Sequence, residues 1–215
     1  MEASLESELK YRAAAEAPLD ALAHQTWLGP ATLGPVRAVD EEDRYLDTVD
    51  RRLSVAGWAC RLRTRGDRTI ISLKGPGQHA AGAAIHRRLE LEGPAAHDLD
   101  PLSWPPSPAR ERLLELSGST PLFERLTLAQ HRTEREVQLD GQRVGLLSLD
   151  RARVLHQGRE LGVLLVVELE LDPAALATGL DPGALERALG DVDGLLPDPA
   201  SKLERALALI GEAPA

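Results

Sequence analysis

The sequence predicts an α+β fold, mainly antiparallel, built as a closed barrel of about eight β-strands with helices packed outside. Three observations lead there. Much of the chain alternates apolar and charged residues with period two, the signature of strands with one wet face. Several strands are joined directly by tight Gly/Asp turns. There is no strand–helix–strand alternation of the kind that builds a doubly wound parallel sheet. The expected organisation is one domain over residues 1–215 with a C-terminal helix near 199–211.

Each element has its own signal. From Leu5 to Arg12, Leu5, Leu9 and Tyr11 alternate with Glu6, Glu8, Lys10 and Arg12, which marks a strand. Pro18 to Thr26 reads as a short helix with proline in its first turn, ended by the Gly/Pro stretch Gly29 to Pro35. Val36 to Asp47 is a strand, and Thr48 to Ala56 a short helix closed by Gly57. Trp58 to Arg65 and Arg68 to Lys74 form a hairpin at Gly66-Asp67, followed by a flexible link from Gly75 to Gly82. Ala84 to Glu92 is another strand, and the proline-rich run from Gly93 to Pro108 is a loop. A helix covers Pro108 to Leu116. Leu126 to Leu139 and Arg143 to Leu155 make a long hairpin at Asp140-Gly141, and Leu161 to Leu171 pairs back on it. Asp172 to Leu189 is helical with a break near Gly179, and Pro199 to Ile210 is the last helix.

Composition narrows the function classes. Hydrophobic residues make up 43% and aromatic residues 3%, so the core is aliphatic. A net charge of −9 disfavours a general nucleic-acid binder. The longest apolar run, Leu161 to Val167, is strand-sized, and the amino end lacks the basic and apolar regions of a signal peptide. One cysteine, Cys60, cannot form an intramolecular disulfide and sits on an apolar parity. The expectation is a cytoplasmic protein, monomer or homodimer, with no membrane or nucleic-acid partner.

The wet faces of the strands are unusual. Glu6, Glu8, Lys10 and Arg12 share one, Arg61, Arg63 and Arg65 another, and Lys74 ends a third. Arg88, Glu90 and Glu92 share a fourth, and Glu168 and Glu170 a fifth. Such faces can lie outside, as solvated ion pairs each worth about 0–1 kcal/mol. They can also turn inward around a water-filled tunnel. Carboxylates two apart on a strand then offer hard oxygen ligands for Mg²⁺ or Mn²⁺, and arginine and lysine bind phosphate oxygens.

The same residues carry a family resemblance. Glu6-Ser7-Glu8-Leu9-Lys10 resembles the ExExK signature of CYTH domains, the triphosphate tunnel metalloenzymes. Tyr45-Leu46-Asp47-Thr48, Cys60-Arg61-Leu62-Arg63, Ile71-Ser72-Leu73-Lys74-Gly75, Arg88-Leu89-Glu90-Leu91-Glu92, Ser148-Leu149-Asp150, Val167-Glu168-Leu169-Glu170-Leu171 and Ser201-Lys202 resemble later family segments in family order. The resemblance runs from Leu5 to about Ile210.

It implies hydrolysis of a triphosphate, most simply inorganic tripolyphosphate, with Mg²⁺ or Mn²⁺. Glu6 and Glu8, with Glu92, would hold metal. Glu168, Glu170 and Asp150 would hold or orient a second metal and the attacking water, with Lys202 beside them. Lys10, Arg12, Arg61, Arg63, Lys74, Arg88, Glu90 and Lys202 would contact the substrate. One of Arg132 and Arg135 would join them, because their opposite parity lets only one face inward. Many bacterial relatives carry a histidine-rich CHAD domain next; this sequence ends at Ala215, so a stand-alone domain is expected.

Other readings are thiamine triphosphatase, a class IV-like adenylate cyclase, and a non-catalytic triphosphate or polyphosphate binder. The scarcity of aromatic platforms favours the inorganic chain over the organic substrates. Acidic pairs near both ends of the sequence favour an enzyme over a binder.

Overall fold

The computed structural model describes residues 4–77 and 85–211. In chain order the described elements are β1 (Ser4–Ala13), α1 (Ala17–His24), β2 (Trp27–Leu28), β3 (Ala31–Leu33), β4 (Arg37–Thr48), α2 (Arg52–Val55), β5 (Ala59–Arg65), β6 (Arg68–Lys74) and β7 (Ile85–Pro94). There follow α3 (Pro108–Ser117), β8 (Leu122–Leu139), β9 (Gln142–His156), β10 (Arg159–Leu171), α4 (Pro173–Ala177), α5 (Gly183–Gly190), β11 (Leu195–Pro197) and α6 (Lys202–Leu209). The expected link from Gly75 to Gly82 lies outside the described residues beyond Gly77, as does Ala84.

Eight strands, in the order β8-β4-β5-β6-β7-β1-β10-β9, pair antiparallel with their neighbours, and β9 pairs back with β8. That last pairing closes the barrel and leaves no free edge among these strands. The small β2–β3 hairpin extends from β8, and β11 pairs with β1. The turn Asp140-Gly141 has φ values of 51° and 76°, and Gln157-Gly158 has 51° and 74°. Positive φ at both central residues gives a twist that matches antiparallel strands.

The aliphatic outer faces are covered in two places. Leu9, Leu149, Val167 and Leu169 pack under Leu19 and Leu22 of α1 and Leu185 and Leu189 of α5. Leu62, Ile71 and Leu73 pack under Leu53 of α2 and Leu113 of α3, with Cys60 buried among them. The predicted helix from Thr48 shrinks to one turn. Arg51 adopts φ 58°, and the Asp47 carboxylate accepts from the backbone N–H groups of Leu53 and Ser54, at 3.0 and 3.2 Å.

The expected closed antiparallel barrel with helices around it is what the chain forms, and one helix has a particular place: α6 lies across one end of the barrel. Its Ala206 and Leu207 pack on Tyr45, Leu126, Leu128, Ala152 and Val154. Along β8 and β9 these positions share the parity of the charged interior residues. The interior is therefore apolar at the α6 end and charged elsewhere. No described helix is long and apolar enough to cross a membrane.

Candidate active site

Pairing of inward faces sets the charged interior. In the sheet register Lys10 stands opposite Glu168, Glu6 opposite Arg88, Lys74 opposite Glu90, and Arg132 opposite Asp150. Opposite charges therefore meet across four seams of the barrel, which is how so many buried ions are tolerated.

The innermost layer lies beside α6. The Ser201 hydroxyl caps that helix by accepting from the backbone N–H of Glu204, in a full capping box. The cap sets the first turn so that Lys202 points into the barrel. Its ammonium donates to Asp150 and, at 2.7 Å, to Glu168. Arg132 donates from Nε and Nη2 to the two oxygens of Asp150 at 2.7 and 2.8 Å, and its Nη2 reaches Glu168 at 3.5 Å. Lys10 Nζ lies 3.5 Å from Glu168. Burial opposes the charge on Glu168, but Lys202, Lys10 and Arg132 outweigh it and hold this carboxyl well below the usual range. Burial pulls the Lys10 ammonium down, against Glu168 and Glu8.

On the β1–β6–β7 wall, Glu6 accepts from Lys74 at 2.7 Å and from Arg88 at 2.8 Å, and Arg88 also reaches Glu8 at 3.2 Å. Burial works against ionisation of Glu6, yet these two cations bring its carboxyl down to about 2. Glu8 is pushed up, by burial and then by Glu168 and Glu6. Glu90 lies 3.4 Å from Lys74 and 3.7 Å from Arg61. Ser72, fully buried, donates to Glu90 and accepts from Arg61.

These layers surround a cavity of about 210 Å³. Arg61, Arg63, Lys74, Arg88's partners Glu6 and Glu8, and Arg132 line it, together with Glu90, Glu92, Glu168 and Glu170. Among the described residues Glu92 and Glu170 have no ion-pair partner. Burial and neighbouring carboxylates push both up: Glu90 acts on Glu92, and Glu6, Glu90 and Glu8 act on Glu170. The buried Nε of Arg61 has no hydrogen-bond partner.

No three described His, Cys, Asp or Glu side chains are already gathered into a metal cage. The carboxylates lean on lysines and arginines instead. The donor set still fits a hard divalent cation, because Glu8 and Glu170 are carboxylates crowded by like charge. A phosphate chain that drew the lysines and arginines to itself would free Glu6 and Glu168 to join them.

Of the named site residues, Arg135, Arg12 and Asp150 do not line the cavity. Of the pair left open by parity, Arg135 is the one that does not face it. Its guanidinium lies outside the barrel wall and donates to the carbonyls of Leu22, Ala23, Gln25, Leu33 and Gly34. It thereby ties the end of α1 to β3, and the inward arginine is Arg132. Arg12 does not line the cavity. It stands opposite Val166 and Leu196, toward the apolar end, with its buried Nε unpaired. Asp150 lies wholly beneath the cavity surface, with both oxygens engaged by Arg132 and Lys202.

Arg135→Ala is accordingly expected to destabilise the protein by about 2–3 kcal/mol, since buried carbonyls lose a charged donor. Its KM for triphosphate should stay within about twofold. Urea unfolding and steady-state kinetics on the same preparation check both.

Sequence reasoning also passed over residues. Glu41 binds Arg63 at 3.0 Å and Arg65 at 2.7 Å, and Asp43 takes both Nε and Nη2 of Arg63 at 2.7 Å. Gln130 donates to Asp43 at 2.7 Å. The signal was present: Glu41 and Asp43 are two apart on a strand, like the pairs that drew attention. Trp58 is half-buried: it packs against the core under α2 and α3 and lines a groove beside α6, with the Arg112 guanidinium 5.0 Å from its ring centroid.

Comparison with known proteins agrees with this architecture. No curated protein sequence matches the chain. Among solved structures, a Hippeastrum protein regarded as a candidate adenylyl cyclase and showing a dominant triphosphatase activity superposes with a TM-score of 0.65 at 18% identity, over 96% of each chain. A candidate adenylate cyclase from Bacillus halodurans gives 0.61 at 20% identity, over 94% of this chain and 97% of its own. The mimivirus capping-enzyme triphosphatase gives 0.50 at 12% identity, over 87% and 90%. At these identities the likeness is one of fold. The CYTH domain model matches residues 4–206, nearly the whole chain, and the protein belongs to the CYTH family.

Proposed function

We propose that this protein hydrolyses inorganic tripolyphosphate to pyrophosphate and phosphate, with Mg²⁺ or Mn²⁺. The observation that carries the reading is a nearly all-charged cavity inside the closed barrel, in which arginines and lysines face carboxylates they only partly neutralise. Arg61, Arg63, Lys74, Arg88 and Arg132 would bind and align the phosphoryl oxygens, and the unpaired Arg61 Nε is a donor in waiting. Lys10 and Lys202 would stabilise charge on the deepest phosphate. Glu8, Glu168 and Glu170, with Glu6, are the residues that would hold the cation; Asp150 is committed to Arg132 and Lys202. When bound, the cation supplies Lewis acidity to the phosphoryl oxygens. Glu168, between the deep lysines and the cavity, would orient the water that attacks in line with the leaving group. Nothing in this scheme needs a covalent intermediate.

A second reading, with thiamine triphosphate or a nucleotide as substrate, is favoured by one feature. A groove of about 180 Å³ beside α6 has Trp58, Pro76, Leu203 and Leu207 on its walls and adjoins Lys74 and Arg88. An organic ring could rest there. The deciding experiment is phosphate release from tripolyphosphate, thiamine triphosphate and ATP in parallel, with Mg²⁺, Mn²⁺ or chelator. Chelator-sensitive release fastest from tripolyphosphate is expected. Preference for an organic substrate would move the substrate to the groove reading, and absence of release from all three would overturn the hydrolase.

A further inference from the structure

A second cavity, of about 290 Å³, opens at the charged end of the barrel and is lined by Arg63, Arg65, Arg68, Ile70 and Glu92. It shares Arg63 and Glu92 with the central cavity, so the two adjoin. We infer that this lip is an outer anion subsite for the next phosphate of a linear polyphosphate longer than three units, whose first three phosphates occupy the central cavity. The inference rests on the triphosphatase reading and extends it to chain length.

Three observations carry it. Arg65 and Arg68 are direct cross-strand partners at the open end of the β5–β6 hairpin. Like charges so placed repel, a cost that a bound anion would offset. The inner arginines are clamped from behind. Arg63 gives Nε and Nη2 to Asp43, and Arg65 gives Nε and Nη2 to Glu41 and Nη2 to Glu134. Those bonds leave Nη1 of each outside the clamp and set each guanidinium plane, the arrangement that suits phosphate. Arg68 is exposed and, among the described residues, has no ion pair. The lining also argues for what enters. It holds one aliphatic side chain, Ile70, and no aromatic ring, so a base or thiazole gains little there. Glu92 stands on the wall common to both cavities, and the lip beyond it is basic. Arg63 to Arg65 is two strand residues, a step of about 7 Å outward from the central cavity.

The test is a chain-length series, tripolyphosphate against linear tetrapolyphosphate, with wild type, Arg68→Ala and Arg68→Lys. Arg68 lies at an exposed hairpin turn, so folding should be retained; thermal unfolding verifies this. Arg68→Ala should raise KM for tetrapolyphosphate about five- to tenfold, the loss of one charge-assisted contact, and leave KM for tripolyphosphate within about twofold. Arg68→Lys should recover part of the loss. Equal effects on both substrates, or no effect on either, would overturn the subsite. So would a defect seen only with a 5′-triphosphorylated oligonucleotide, which would assign the lip to a nucleic-acid backbone. If wild type hydrolyses neither polyphosphate, the triphosphatase reading fails by itself. Equilibrium competition binding of the two chains to the same three proteins then still decides the lip, on the same ratio.

Discussion

Glu168→Gln is expected to lower kcat about 100- to 1,000-fold while triphosphate binding stays within a few-fold. The substitution keeps the side chain's size and its ability to accept from Lys202. It removes the negative charge that faces Lys202, Lys10 and Arg132 and would help hold the cation and the water. The cations that grip phosphate remain, and with less competition from a carboxylate they should bind the substrate at least as well. Steady-state phosphate release together with equilibrium binding of tripolyphosphate separates the two quantities. Turnover at the wild-type level would remove Glu168 from the chemistry.

Asp150→Ala should cost about 3–5 kcal/mol of stability, the typical penalty for leaving a buried charge without its partner. Asp150 is fully buried, and its removal strands both Arg132 and Lys202. An exposed pair such as Arg112 and Glu115, 2.9 Å apart, is worth only about 0.3–0.5 kcal/mol by contrast. Urea denaturation of the two single variants, Asp150→Ala and Glu115→Ala, gives the comparison directly; equal effects would refute the supporting role of Asp150. The sign of the pH dependence also follows. Burial opposes ionisation of Asp150, but Arg132 and Lys202 hold its carboxyl below the ordinary aspartate value of 3.8. Its stabilisation is therefore complete above about pH 4 and is lost as pH falls through the depressed folded value. For Lys202, burial lowers and Asp150 and Glu168 more than restore the ammonium, which ends above 10.5. That contribution is complete below about pH 10 and is lost as pH rises through the folded value.

The clamp of Glu41 and Asp43 on Arg63 and Arg65 links fold to function in the same way. A loose arginine can reach phosphate in many geometries, each paid for in side-chain entropy. A guanidinium fixed from behind by two carboxylates presents its remaining N–H groups in one orientation. Glu41 and Asp43 contact the arginines rather than line the central cavity, so a search for substrate ligands passes over them.

Much of this protein was determined by sequence alone, because the governing physics is local. Period-two alternation assigns each strand residue to one face regardless of its partner strand, so the charged faces of β1, β5, β7 and β10 were evident as sets. Asp140-Gly141 and Gly66-Asp67 announce their turns through backbone preference. The ordered run of motifs from Glu6 to Lys202 pointed to the family that the domain match bears out. What sequence left open depends on pairings between distant segments. Whether Arg132 or Arg135 faces inward is set by the register of β8 on β4 and β9. The long span from Asp150 to Glu168 is taken up by two extended strands turning at Gln157-Gly158, which puts Asp150 opposite Val166, two residues from Glu168. The placement of α6 across the barrel end follows from an apolar inner face that only closure creates. Alternation tells which residues share a side; only the closed sheet decides what that side encloses.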